Sequence, residues 1–127
     1  MFSSVDIKDS VRNIEETAEF TVSLVTEDLF DHMNGSSVPA GSDVDEFELA
    51  GLTSQIGKFV SAPFVAEAAA ALECTHWKTI DLPNSKRDKG TGNYLVLGQV
   101  VGIYINDKFI KDGLFNASAA RPLVRLG

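Results

Sequence analysis

The residues best placed to do chemistry stand near the start of the chain. Lys8-Asp9-Ser10 precedes Val11, Ile14 and Ala18, which fall at helical spacing. A helix is therefore expected to begin there, with Asp9 or Ser10 as its cap. The first turn of a helix carries backbone amides that its own ladder leaves unpaired, and the aligned peptide dipoles place partial positive charge at that end. An anion suits such a position. Lys8 adds a full positive charge, and the Ser10 hydroxyl can donate to an oxyanion. Arg12 can reach the same anion, or pair with Glu15 or Glu16 on the helix surface. The plainer alternative is a capped helix with a surface lysine. Both readings stay open at this point.

The other reactive side chains offer less. Cys74 is the single cysteine, so no internal disulfide can form, and one thiol suits a reducing cytoplasm. No neighbouring cation favours its thiolate, so a buried, inert thiol is expected. His32 and His76 lie far apart with no cysteine cluster between them, a spacing that provides no metal site. His32 is expected on a helix surface. Tyr104 stands in an apolar run, where packing is the simpler role for its ring. Trp77 and the eight Phe residues are expected in the core and in a dimer contact.

These side chains belong to 127 residues of ordinary globular composition, 44% hydrophobic and 23% charged. One domain spanning 1–127 is expected. The formal charge of −7 argues against a nucleic-acid partner, which would need a clustered excess of Lys and Arg. Lys86, Arg87 and Lys89 form the one basic cluster and read as a solvated turn. No stretch has the apolar length of a membrane span, and the N-terminus lacks a secretory pattern. A cytoplasmic protein without membrane contact is expected. Asn34-Gly35-Ser36 and Asn116-Ala117-Ser118 match the glycosylation pattern by chance.

The elements that must hold the chemical residues follow from periodicity. Phe20, Val22 and Leu24 alternate with polar neighbours, as in a strand with one buried face. Thr26 can cap a short helix bearing Leu29, Phe30 and Met33, which stops at Gly35. Residues 35–45 read as a loop and 46–50 as a helical turn. Pro63 prevents a regular central strand in 51–66. Ala66 to Cys74 is ambiguous, because its alanines favour helix while the continuation to Ile80 is strand-like. Residues 82–93 read as a loop. Tyr94 to Ile105 is the strongest strand signal, apolar on both faces, which implies a central, doubly covered strand. Asn106-Asp107 suits a hairpin turn, and Asp112-Gly113 another. Together they describe an α+β chain with a mainly antiparallel sheet.

Three segments resemble the flavin reductase-like family. The first runs from Lys8-Asp9-Ser10-Val11-Arg12-Asn13-Ile14 to Thr17-Ala18-Glu19-Phe20, with Ala18 where the family has Gly. The second is Asp45 to Thr53, followed by Ala62-Pro63 and Leu72-Glu73-Cys74. The third is Gly98-Gln99-Val100-Val101-Gly102-Ile103, then Asp112-Gly113 and Arg121-Pro122-Leu123-Val124-Arg125-Leu126-Gly127. Their order and spacing make the resemblance specific. It implies an incomplete FMN-binding split β-barrel with short flanking helices, corresponding to the C-terminal two-thirds of the family domain, and its N-terminal strands are expected to be missing. It further implies FMN as cofactor and NADH or NADPH as substrate. Ala68 to Ile80 then becomes a strand, and the protein a homodimer.

The same resemblance puts the FMN phosphate at Lys8 and Ser10, with Arg12 in reach and Asp9 turned away to cap the helix. Arg121 could meet a flavin or nicotinamide phosphate across a dimer, or serve a structural ion pair. Tyr104 stands where relatives often have His, which weakens a proton-donor role. The flavin ring itself accepts hydride in this family, so no catalytic acid or base is required of the protein. Three functional readings follow: an NAD(P)H-dependent flavin oxidoreductase, a non-enzymatic flavin-binding electron carrier, and a scaffold that no longer binds cofactor.

Overall fold

The structure is a computed structural model that describes residues 1–6, 8–32, 46–83 and 92–124. Two long strands form its spine, β5 (Ala70–Leu82) and β6 (Asn93–Ile105), paired antiparallel from Ala70↔Ile105 to Leu82↔Asn93. β1 (Phe2–Val5) pairs with the start of β6, and β2 (Glu19–Ser23) with the start of β5. The order β1-β6-β5-β2 makes β6 an interior strand of a mainly antiparallel α+β fold, as the sequence predicts. Ala70 and Ala71 lie within β5 despite their helix propensity, because pairing with Ile105 and Tyr104 decides the backbone there.

Helix α1 (Asp9–Thr17) buries Val11 and Ile14. They meet Phe20 of β2, Cys74 of β5 and Val96 of β6 in one core, with Phe2 and Leu72 packed against it. The helix stops at Ala18, which takes the left-handed conformation at φ 58° and returns its N–H to the Ile14 carbonyl at 2.8 Å. A Cβ is strained there, and glycine is the residue that adopts this conformation freely. Ala18→Gly should therefore raise stability by about 0.5–1 kcal/mol, even after the extra freedom of the unfolded chain is counted. Thermal melts of the two proteins would show it as a rise of a few degrees, and a lower midpoint would refute it.

Two bulges alter what alternation alone implies. At the first, Glu73 faces Gly102 and Cys74 faces Val100, so Val101 is the extra residue of β6; at the second, His76 faces Gly98 and Lys78 faces Leu97, so Trp77 is the extra residue of β5. A bulge breaks the two-residue period and bends the strand. The expected double covering of β6 holds for Val96, which is buried, but not for Val101 and Ile103, which are 37% and 67% exposed. β1 reaches only Asn93 to Val96. Of the aromatic residues expected in the core and in a dimer contact, Trp77 is 73% exposed and Phe59 62%, so neither is a core residue of the single chain.

Smaller elements complete the chain. Thr26 precedes a 3-10 turn at Glu27–Leu29, its hydroxyl bonded to the Asp28 carboxylate. α2 is Glu46–Ala50. β3 (Ser54–Ile56) and β4 (Pro63–Val65) form a hairpin in which Pro63 takes the first strand position, where its missing N–H matters least. Asn106-Asp107 does not make the expected hairpin turn. Asn106 caps a 3-10 turn at Asp107–Phe109, its Oδ1 accepting the Lys108 N–H at 3.1 Å. Asp112-Gly113 does turn a hairpin, β7 (Ile110–Lys111) to β8 (Leu114–Phe115), with both φ values positive as a type I′ turn requires. α3 (Ala117–Ala120) follows. No described helix is long and apolar enough to cross a membrane. The readings for Met33, Gly35, the 35–45 loop, most of the 82–93 loop, Lys86, Arg87, Lys89 and the end at Arg125-Leu126-Gly127 fall outside the described residues.

Candidate functional site

The start of α1 differs in detail from its sequence-based expectation. Lys8 holds the cap position in extended backbone (φ −72°, ψ 168°), and its side chain makes no capping hydrogen bond. The helix begins one residue earlier than a cap at Asp9 would allow, and two earlier than a cap at Ser10. Asp9 is its first helical residue and does not cap. Its carboxylate instead lies 3.8 Å from Arg12 Nη1, both side chains half exposed. Arg12 thus meets Asp9 rather than Glu15 or Glu16. An uncapped helix end leaves amides directed outward with partial positive charge. Lys8, Ser10 and Arg12 stand exposed on that first turn.

Arg121 occupies a different set of contacts. It ends α3 in the left-handed conformation, and its guanidinium pairs with Glu27 at 2.6 Å. Its carbonyl accepts the Glu27 N–H at 3.1 Å, Thr26 bridges Pro122, and the Leu123 N–H reaches the Val25 carbonyl at 3.0 Å. The Arg-Pro segment thereby ties α3 to the chain after β2. No hydrogen bond or ion pair among the described residues joins Arg121 to Lys8, Ser10 or Arg12.

Beside α1 opens a cleft of about 1020 Å³. Ser10, Asn13, Ile14 and Thr17 face it at helical spacing, β2 supplies Glu19 to Ser23, and Phe47 with Ser61 to Pro63 forms the far rim. Phe2 and Phe20 line it too, their rings edge to face at 5.6 Å. Side chains of β2 hold the far rim. Glu19 Oε2 accepts the Ser61 N–H at 2.8 Å, Thr21 Oγ1 donates to the Pro63 carbonyl at 2.6 Å, and Ser23 Oγ accepts the Val65 N–H at 3.1 Å. Sequence reading missed Asn13, Thr17 and the β2 hydroxyls. The polar run at 10, 13 and 17 around Ile14 was the available signal for the helix side, whereas Ser61 comes from a distant segment.

A second carboxylate works behind that rim. Glu73 is 3% exposed, and its Oε1 accepts the Phe59 and Val60 N–H groups at 3.1 and 3.2 Å. Together with Glu19 it captures three successive amides, 59 to 61. Glu67 plays a similar part at Thr53, whose N–H it accepts at 3.0 and 3.1 Å. Desolvation works against its charge, but the Thr53 hydrogen bonds and nearby His32 hold its carboxyl below the usual range.

The remaining candidates are structural. Tyr104 packs its ring on Phe64, centroids 4.7 Å apart. His32 Nδ1 lies 2.6 Å from the Ala50 carbonyl and His76 Nε2 2.9 Å from Thr79 Oγ1. No group of three potential metal ligands occurs among the described residues. Cys74 is buried, and desolvation pushes its thiol pKa up, against a lowering by the N-terminal charge. Alkylation by iodoacetamide should be at least about tenfold slower than for an exposed thiol until denaturant is added. Equal rates in folded and unfolded protein would contradict this.

Comparison with known proteins places the chain within a family and a fold. The model of the flavin reductase like domain matches residues 1–123. An uncharacterized protein of Aquifex aeolicus is 33% identical over 122 residues, which cover 95% of this chain and 58% of that protein. Nitrilotriacetate monooxygenase component B from Bacillus cereus superposes with a TM-score of 0.82 at 26% identity, covering 94% of this chain and 60% of that one. Flavoredoxin of Desulfovibrio vulgaris (Miyazaki F) gives 0.73 at 23% identity, covering 91% and 58%, a likeness of fold. The chain spans about three-fifths of the length of these proteins.

Proposed function

The chain belongs to the flavin reductase-like family, and from that premise we propose that it binds FMN by the phosphate at the start of α1 and serves electron transfer from NADH or NADPH to a further acceptor. The observation that carries the proposal is the uncapped first turn of α1, with Lys8 at the cap position and Ser10 beside it. The residue types fit a phosphate: helix amides, a lysine and a serine stand within one turn. Arg12 can add a second cation by leaving Asp9, since an exposed pair at 3.8 Å is weak. Arg121 is held by Glu27, so it enters the proposal only through a second copy of the chain. When bound, the flavin supplies the hydride-accepting chemistry. The chain's own part is to hold the phosphate and orient what is attached to it.

A homodimer and a cytoplasmic location belong to the same proposal. Trp77, Ile103 and Leu114 are 73%, 67% and 74% exposed, a large apolar outlay for a solitary chain. Light scattering should give twice the chain mass, and a monomer at high concentration would count against the dimer. For the function, purified chain is examined for oxidised-flavin absorbance, then titrated with FMN, then mixed with NADH or NADPH. Flavin uptake with nucleotide consumption supports the oxidoreductase. Uptake without consumption favours an electron carrier, and no uptake overturns the proposal in favour of a cofactor-free scaffold.

A further inference from the structure

The cleft beside α1 has a composition unlike that of a phosphate site. Phe2 and Phe20 give it an aromatic lining, and Val22, 42% exposed, adds apolar surface. Asn13, Thr17 and Ser61 supply polar groups. Among the described residues that line it, Glu19 bears the only charge, and the Ser61 N–H fixes its carboxylate at the rim. A ring entering the cleft gains from burial against the aromatic side chains. An anion entering beside Glu19 meets a fixed like charge next to apolar walls, where screening by water is reduced. Lys8 and Arg12, the cations of the first turn, are not part of the lining.

We infer that this cleft is a binding site for an uncharged aromatic ring compound, with Glu19 excluding anionic ones. The cleft shares Ser10 with the proposed phosphate site, but the inference does not draw on the flavin reading. No cofactor enters its argument or its test, so either can fail while the other stands.

The test uses two bicyclic probes of similar size, neutral 2-naphthol and anionic 2-naphthoate, titrated into the whole chain and followed by amide NMR shifts. 2-Naphthol should move the amides of Asn13, Thr17, Thr21 and Ser61, and 2-naphthoate should bind about tenfold more weakly. Glu19→Gln keeps an acceptor for the Ser61 N–H while removing the charge, so it should close that gap. Val22→Trp fills the cleft and should weaken 2-naphthol binding at least tenfold with the circular dichroism spectrum unchanged. Shifts scattered over the surface, equal binding of the two probes by wild type, or a gap that survives Glu19→Gln would each overturn the inference.

Discussion

Gly98→Ala is expected to destabilise the chain by about 2–3 kcal/mol, at the upper end of what overpacking a core costs, and shortening Phe20 is expected to relieve most of it. A Cβ at position 98 would lie 2.4 Å from Phe20 Cζ, 2.5 Å from its Cε1 and 3.0 Å from the Thr75 carbonyl oxygen. The ring has little freedom to give way. It is 6% exposed and enclosed by Val11, Ile14, Cys74 and Val96, with Phe2 against its edge. The carbonyl is equally fixed, because Thr75 pairs with Gln99 in the β5–β6 ladder. Phe20→Leu alone should cost about 1–2 kcal/mol. In the Phe20→Leu background the added methyl finds space, so the double variant should be more stable than the sum of the single losses by about 1 kcal/mol or more. Urea denaturation of the four proteins measures this. Additivity within about 0.5 kcal/mol would show that the ring contact is not what excludes a side chain at Gly98.

Gly98 also shows where sequence reading reaches its end. Both glycines of Gly98-Gln99-Val100-Val101-Gly102 were legible as a family feature, but their physical reason was not. Phe20 comes from β2, on the far side of β5, to lie over Gly98. At Gly102 a Cβ would meet Phe59 Cδ2 at 2.4 Å and Glu73 Oε2 at 2.6 Å, groups brought there by a loop and by the neighbouring strand. Local patterns carried the local elements well: Val11 and Ile14 on α1, the long apolar run of β6, and the Asp112-Gly113 turn. The covering of β6 was misjudged because the bulge at Val101 adds one residue and reverses the alternation that follows, while the extra residue Trp77 does the same in β5. Nothing in the residue types around Trp77 or Val101 announces such an insertion, since it depends on how two distant strands register.

The candidate site divides the same way. Lys8 and Ser10 were visible because a helix start is a property of a few consecutive residues. Even there the cap was misplaced by one or two positions, since a lysine at the cap runs against side-chain preference. Arg121 was visible as a cation, but its partner Glu27 depends on how α3 meets the chain after β2. The cleft could not be read at all. Its helix side is a polar stripe that also suits plain solvent exposure, and its rim exists only because Glu19, Thr21 and Ser23 reach across to residues 61–65. Glu73 was part of the recognised Leu72-Glu73-Cys74 segment, yet its work of holding two amides of the Phe59-Val60 turn is apparent only in three dimensions.

Lys8→Ala is expected to weaken FMN binding about tenfold or more while leaving the fold intact. Lys8 is exposed, and among the described residues its ammonium group takes part in no ion pair, so its removal should leave the unfolding midpoint unchanged. A hydrogen bond to a charged partner contributes about 1.5–3 kcal/mol, and each 1.4 kcal/mol is tenfold in affinity. Exposure to water places the effect at the low end of that range and makes it sensitive to salt. The gap between wild type and variant should therefore narrow as ionic strength rises. Lys8→Arg should retain most of the affinity. Arg12→Ala should lose less than Lys8→Ala, because Arg12 already shares its charge with Asp9. Asp9→Asn should tighten binding by removing a like charge beside the phosphate, since the carboxylate does not cap the helix and its loss leaves no amide unserved. Arg121→Ala should not change the intrinsic affinity of a single chain, because its guanidinium is engaged with Glu27. Quenching of flavin fluorescence on titration measures all five variants. Equal affinities for wild type and Lys8→Ala would mean that Lys8 is a surface lysine at a helix end and that the phosphate, if bound, sits elsewhere.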